Sequence, residues 1–104
     1  MFPSHDLKGL KLPYTIRDAD FNVPMDGFQQ LITATIDPVT ATLPSAVQND
    51  SSVVNIKNYY ASTKTVTLTV GGGETIDGLT SITVAADESL TLQAIGSLDM
   101  WTVW

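Results

Sequence analysis

The sequence contains no cysteine, so neither a disulfide framework nor a thiolate metal site can hold it together, and stability has to come from packing and strand pairing. Charge is scarce as well: 15% of the residues are Asp, Glu, Lys or Arg, against about a quarter in an average domain. Part of so weakly charged a surface is expected to be covered by a partner. Positive charge is the scarcer kind. With 5 Lys and Arg against 11 Asp and Glu there is no basic footprint to neutralise phosphates, and nucleic acid is not an expected partner. Long apolar runs are missing too: nothing approaches the roughly 18 residues of a membrane helix, and Met1 to Asp6 shows no cationic stretch leading into an apolar one. A soluble protein without a secretion leader or membrane partner is therefore expected.

What is present is a chain of 104 residues, 43% of them hydrophobic, enough for one core and too short for two. Residues 1 to 13 are punctuated by Pro3, Gly9 and Pro13 and hold no sustained period, so they are expected to form an extended N-terminal arm. Phe2, Leu7, Leu10 and Leu12 give that arm something to bury. From Tyr14 onward the apolar period is two, carried by Thr, Val, Ile, Leu and aromatic residues that suit a pleated, half-buried surface.

The clearest run is Thr65-Val66-Thr67-Leu68-Thr69-Val70, with valines and leucine on one face and threonines on the other. Similar alternation marks Val39 to Leu43, Val54 to Ile56, Ile82 to Val84, Leu90 to Leu92 and Trp101 to Val103, with a longer apolar run at Leu31 to Ile36. Turn chemistry separates them: Asp37-Pro38, Pro44-Ser45, Gln48-Asn49-Asp50, Gly71-Gly72-Gly73, Asp77-Gly78 and Gly96-Ser97. Asp77-Gly78 is a tight-hairpin signal, because both residues tolerate positive φ. Short strands at this spacing, with no amphipathic helix between them, predict an all-β domain over residues 14–104, a small β-sandwich or jelly-roll-like fold.

Several local patterns invite chemistry and have plainer explanations. His5 sits between Ser4 and Asp6, yet three successive residues of an extended segment cannot aim at one another as relay catalysis requires. Asp18-Ala19-Asp20-Phe21-Asn22 matches the start of a calcium loop, but Val23 stands where that loop needs glycine and Gln29 where it needs the bidentate glutamate; a turn or the start of a strand is expected instead. The glycine run 71–73 lacks the following lysine and helix of a phosphate cradle, and reads as a hairpin loop. Asp87 with Glu88, and Glu74 with Asp77, offer carboxylate pairs of the kind glycoside hydrolysis uses, but both lie in turns, where acids are ordinarily solvated. Tyr59, Tyr60, Trp101 and Trp104 could form a sugar-stacking platform; by alternation Trp101 and Val103 face the core while Met100 and Trp104 face away, which makes Trp104 the better intermolecular contact. No enzyme activity and no cofactor are expected.

The ordered series Ala41-Thr42-Leu43-Pro44, Val54-Asn55-Ile56-Lys57-Asn58, Val66-Thr67-Leu68-Thr69, Gly73-Glu74-Thr75-Ile76-Asp77-Gly78, Ser81-Ile82-Thr83-Val84, Glu88-Ser89-Leu90-Thr91-Leu92 and Trp101-Thr102-Val103 resembles a β-module recurrent in fibre and virion-surface proteins of tailed phages, across residues 14 to 104. The resemblance implies a virion protein, made in the host cytoplasm, that assembles as a homotrimer. The sequence departs from the module at Gly96-Ser97-Leu98-Asp99, where a Ser-Asp-Gly turn is usual, and carries no long fibre upstream. A fibre module preceded only by a short arm resembles a capsid decoration or cement protein. The expected role is thus to stabilise the capsid exterior by clamping the major capsid protein lattice, with Phe2, Leu7, Leu10, Leu12, Tyr59, Tyr60 and Trp104 as contact residues. The alternative is a tail or head fibre module that recognises host surface glycan.

Overall fold

The computed structural model describes residues 13–25 and 29–104. The extended arm expected over residues 1–13, with Phe2, Leu7, Leu10 and Leu12, lies outside the described residues apart from Pro13, as does His5.

Among the described residues ten strands follow in order: β1 Tyr14–Arg17, β2 Phe21–Asn22, β3 Gln29–Ile32, β4 Val39–Leu43, β5 Val53–Asn58, β6 Val66–Val70, β7 Thr75–Ile76, β8 Ser81–Val84, β9 Ser89–Ile95 and β10 Met100–Val103. They form two mixed sheets, one of six strands in the order β1-β3-β5-β9-β10-β7 and one of four in the order β2-β4-β6-β8. The expected all-β sandwich is therefore the architecture observed.

Its winding is less usual than its layers. From β1 to β9 the chain alternates between the two sheets at every strand, and through β6 successive strands within a sheet stack in parallel. Parallel pairs are β1 with β3, β3 with β5, β2 with β4, β4 with β6, and β7 with β10. Among the described strands, β5 with β9, β9 with β10, and β6 with β8 run antiparallel. The jelly-roll branch of the expectation, built from antiparallel Greek keys, does not describe this pairing. The first six strands are better pictured as a flattened coil, closed by an antiparallel end.

The period-two pattern explains how each coil stacks on the last. Val39, Ala41 and Leu43 of β4 sit opposite Val66, Leu68 and Val70 of β6, all buried, while Thr40 and Thr42 pair with Thr67 and Thr69 on the outside. A shift of one residue in either strand would expose three apolar side chains and bury two hydroxyls, so burial fixes the register. Ile32, Val54, Ile56, Leu92, Ala94 and Trp101 supply the facing layer from the six-stranded sheet, and the buried residues join in one hydrophobic cluster.

Asp77-Gly78 forms the expected two-residue hairpin: Ile76 and Leu79 exchange backbone hydrogen bonds of 2.7 and 2.9 Å, and both central residues have positive φ, 49° and 85°. The run Leu31 to Ile36 does not continue as a strand. β3 stops at Ile32, Ala34 N–H turns to Ser62 Oγ at 3.0 Å, and Ile36 is 81% exposed. The chain has to leave one sheet there to reach Val39 in the other, so its apolar residues divide between core and surface.

Candidate functional site

The acids that suggested chemistry serve as local acceptors. Glu74, expected to be a solvated turn residue, is instead buried. Its Oε1 accepts from Ala46 N–H at 2.7 Å, and its Oε2 accepts from Ser45 O–H at 3.0 Å and Val47 N–H at 3.4 Å. Burial alone would raise its pKa; the three donors outweigh burial and hold the carboxyl below its ordinary value. A general acid needs the opposite displacement.

Asp77 accepts from Thr102 O–H through Oδ1 at 2.7 Å and from Val103 N–H through Oδ2 at 3.0 Å, so it latches the hairpin to β10. Asp77→Asn keeps a residue that tolerates positive φ but turns an amide N–H₂ towards one of these donors. The variant is expected to lose about 1 kcal/mol in urea unfolding. Glu88 Oε1 accepts from Ala85 N–H at 2.6 Å, and Asp87 pairs with Lys57 at 3.0 Å on the exposed surface. Asp20 Oδ1 receives Thr40 N–H at 2.8 Å, which accounts for the calcium-like run as a turn that meets a strand start. Among the described residues no three His, Asp or Glu gather as metal ligands.

The aromatic residues separate. Trp101 is fully buried and donates its indole N–H to Pro44 C=O at 2.9 Å, as its inward phase required. Trp104 is 76% exposed and donates to Gln93 Oε1 at 3.2 Å. Tyr59 and Tyr60 lie together on the loop after β5, ring centroids 4.8 Å apart and tilted by 56°, and hydrogen bonding with Tyr60 pushes the Tyr59 phenol up. Tyr60 is exposed, and the loop that holds it packs beside residues 33–38 through Thr63 O–H to Thr35 C=O at 2.9 Å, so exposed Ile36 shares its end of the sandwich. Tyr59-Tyr60 and Trp104 thus do not form one platform.

A cleft of about 440 Å³ opens on the outer face of the six-stranded sheet. Parallel and antiparallel registers line up one outward residue per strand across it: Tyr14 of β1 opposite Gln29 of β3, Gln29 opposite Asn55 of β5, and Asn55 opposite Thr91 of β9. The next position in this row is Trp104, whose N–H bonds Thr91 C=O at 2.9 Å. Thr91 O–H donates to Asn55 Oδ1 at 2.7 Å, and a second row places Lys57 beside Ser89. Each of these residues lies in the outward phase of its own strand. Their convergence was not legible, because parallel neighbours are far apart in sequence and alternation alone does not set their register.

No protein-family profile, curated protein or solved structure matches the chain.

Proposed function

We infer that the chain is a non-catalytic structural module of a tailed-phage virion, docking on the major capsid lattice as a homotrimeric decoration protein. The ordered motif series from Leu43-Pro44 to Trp101-Thr102-Val103 supports the virion context. The observation that carries the docking role is the exposure of large apolar side chains on a surface poor in charge: Ile36 at 81% and Tyr60 at 69% stand at one end of the sandwich. Covering them gains about 25 cal/mol per Å² of apolar area removed from water, less the cost of ordering the arm. Three linked copies raise the effective concentration of each contact, so modest individual patches hold a symmetric lattice.

Light scattering on the purified chain is expected to give three times the chain mass, and an antibody to it should label the outside of intact particles. Deleting residues 1–13 should leave the β-rich circular dichroism spectrum intact and abolish particle occupancy; full occupancy by the truncated protein refutes the anchoring role of Phe2, Leu7, Leu10 and Leu12.

A further inference from the structure

The geometry points to a second binding surface: the cleft on the outer face of the six-stranded sheet takes a neutral, linear oligosaccharide laid across the strands from Tyr14 towards Trp104. This inference is independent of virion docking, since it uses the middle of a sheet face and not the end of the sandwich.

The volume of 440 Å³ falls within the range of small-ligand sites. Alongside apolar Leu31, Ile56 and Leu90, its described lining presents polar groups: Gln29 and Ser89 can donate and accept, the Asn55 amide can donate and the Thr91 oxygen can accept, which suits the paired hydroxyls of a sugar. Among the described lining residues Lys57 is the one cation, and it pairs with the Asp87 carboxylate at 3.0 Å and Asp87 C=O at 3.2 Å, which offsets its charge locally. Flat rings stand at both ends of the row, Tyr14 at 69% and Trp104 at 76% exposure, and such rings cover the apolar faces of pyranoses. From Tyr14 to Trp104 the row crosses four strand spacings, about 19 Å at 4.8 Å each.

The site is also held in advance. Gln29, Asn55, Ser89 and Thr91 sit on strands; Thr91 fixes the Asn55 oxygen and thereby leaves the Asn55 N–H₂ group as the outward donor, and Gln93 fixes the indole of Trp104, which directly follows β10. An added peptide strand would pair beside β1, the end strand of the sheet order, and not across the face where the cleft lies, because β3, β5 and β9 have hydrogen-bonded neighbours on both sides.

The test is a nuclear magnetic resonance titration of the full chain with cellohexaose, mannohexaose and maltohexaose, and with hexagalacturonate as the anionic counterpart. At least one neutral hexamer is expected to bind, with the largest shifts at the side-chain amides of Gln29 and Asn55 and at the Trp104 indole. Tyr14→Ala, Trp104→Ala and Thr91→Val should each weaken binding about tenfold, and Tyr60→Ala should leave it unchanged. All four positions are exposed, so the variants should fold, and unchanged amide spectra elsewhere would verify it. The inference is overturned if no neutral hexamer binds at millimolar concentration, if hexagalacturonate alone binds, or if shifts and losses centre on Tyr59-Tyr60. Particle occupancy reports on the virion reading separately, so either can fail without the other.

Discussion

Trp101→Ala is expected to remove about 4–6 kcal/mol of folding free energy, enough to leave the isolated domain partly unfolded at 37 °C given the 5–15 kcal/mol that usually separates native from denatured chains. Trp101 is the largest fully buried side chain and lies on β10 between Ala94 of β9 and Ile76 of β7. Its replacement by alanine leaves a cavity in the middle of the sheet pair, which alone costs about 3–5 kcal/mol for an aromatic residue. The indole also donates to Pro44 C=O, at the exit of β4 in the opposite sheet, so the same change strands a carbonyl whose other partners would have to come from water. Trp101→Phe separates the two contributions. It refills most of the volume and loses the hydrogen bond, and should cost about 1.5–3 kcal/mol, or roughly 10 °C in Tm for a domain of this size. Urea melts of the three proteins measure the difference. A loss under about 2 kcal/mol for alanine would mean that the layers do not depend on this contact for their spacing.

Trp101 also shows what the sequence makes legible. Its inward phase is a local property: Trp101 and Val103 alternate with Met100 and Thr102, and alternation survives whatever the strand pairs with. The same holds for β4 and β6, whose bounds follow from the pattern of Val39 to Leu43 and Val66 to Val70, and for the hairpin at Asp77-Gly78, where two adjacent residues carry the turn. Parallel stacking of β1, β3 and β5 is not local. Nothing near Asn55 indicates that Gln29 will lie beside it, and so the row from Tyr14 to Trp104 emerges only with the fold. Ile36 failed for a related reason. An apolar run ordinarily signals burial, but here the chain must cross between sheets before Val39, and the crossing exposes the end of the run.

Glu74 was equally hidden in the sequence, and its burial has the second large consequence. A glutamate after three glycines reads as a loop acid, yet its carboxylate gathers donors from Ser45, Ala46 and Val47, which belong to a turn far upstream. Ser45 in turn accepts from Gln48 N–H, and Asn49 Nδ2 donates to Ser45 C=O, so one carboxylate organises the whole segment that follows Pro44. Glu74→Ala leaves Ala46 N–H buried without its acceptor and should cost about 2–4 kcal/mol at neutral pH. Because Trp101 grips Pro44 at the start of the same segment, the Glu74→Ala and Trp101→Phe losses should be non-additive, each variant weakening what the other still holds.

The pH dependence follows from the direction of the shift. The folded-state pKa of Glu74 lies below the ordinary value near 4.5, so folding favours its charged form. The resulting stabilisation is complete above the ordinary glutamate pKa and disappears as pH falls through the depressed folded value. Glu74→Gln lacks this titration and places an amide among donors that want an anion. The gap in unfolding free energy between wild type and Glu74→Gln should therefore be widest above the ordinary glutamate pKa and close as pH falls through the depressed folded value. Taking the difference cancels the other ten acidic residues, which titrate alike in both proteins. A gap that stays constant down to the acid end would show that Glu74 contributes through its shape and not its charge, and that the turn after Pro44 is held by packing.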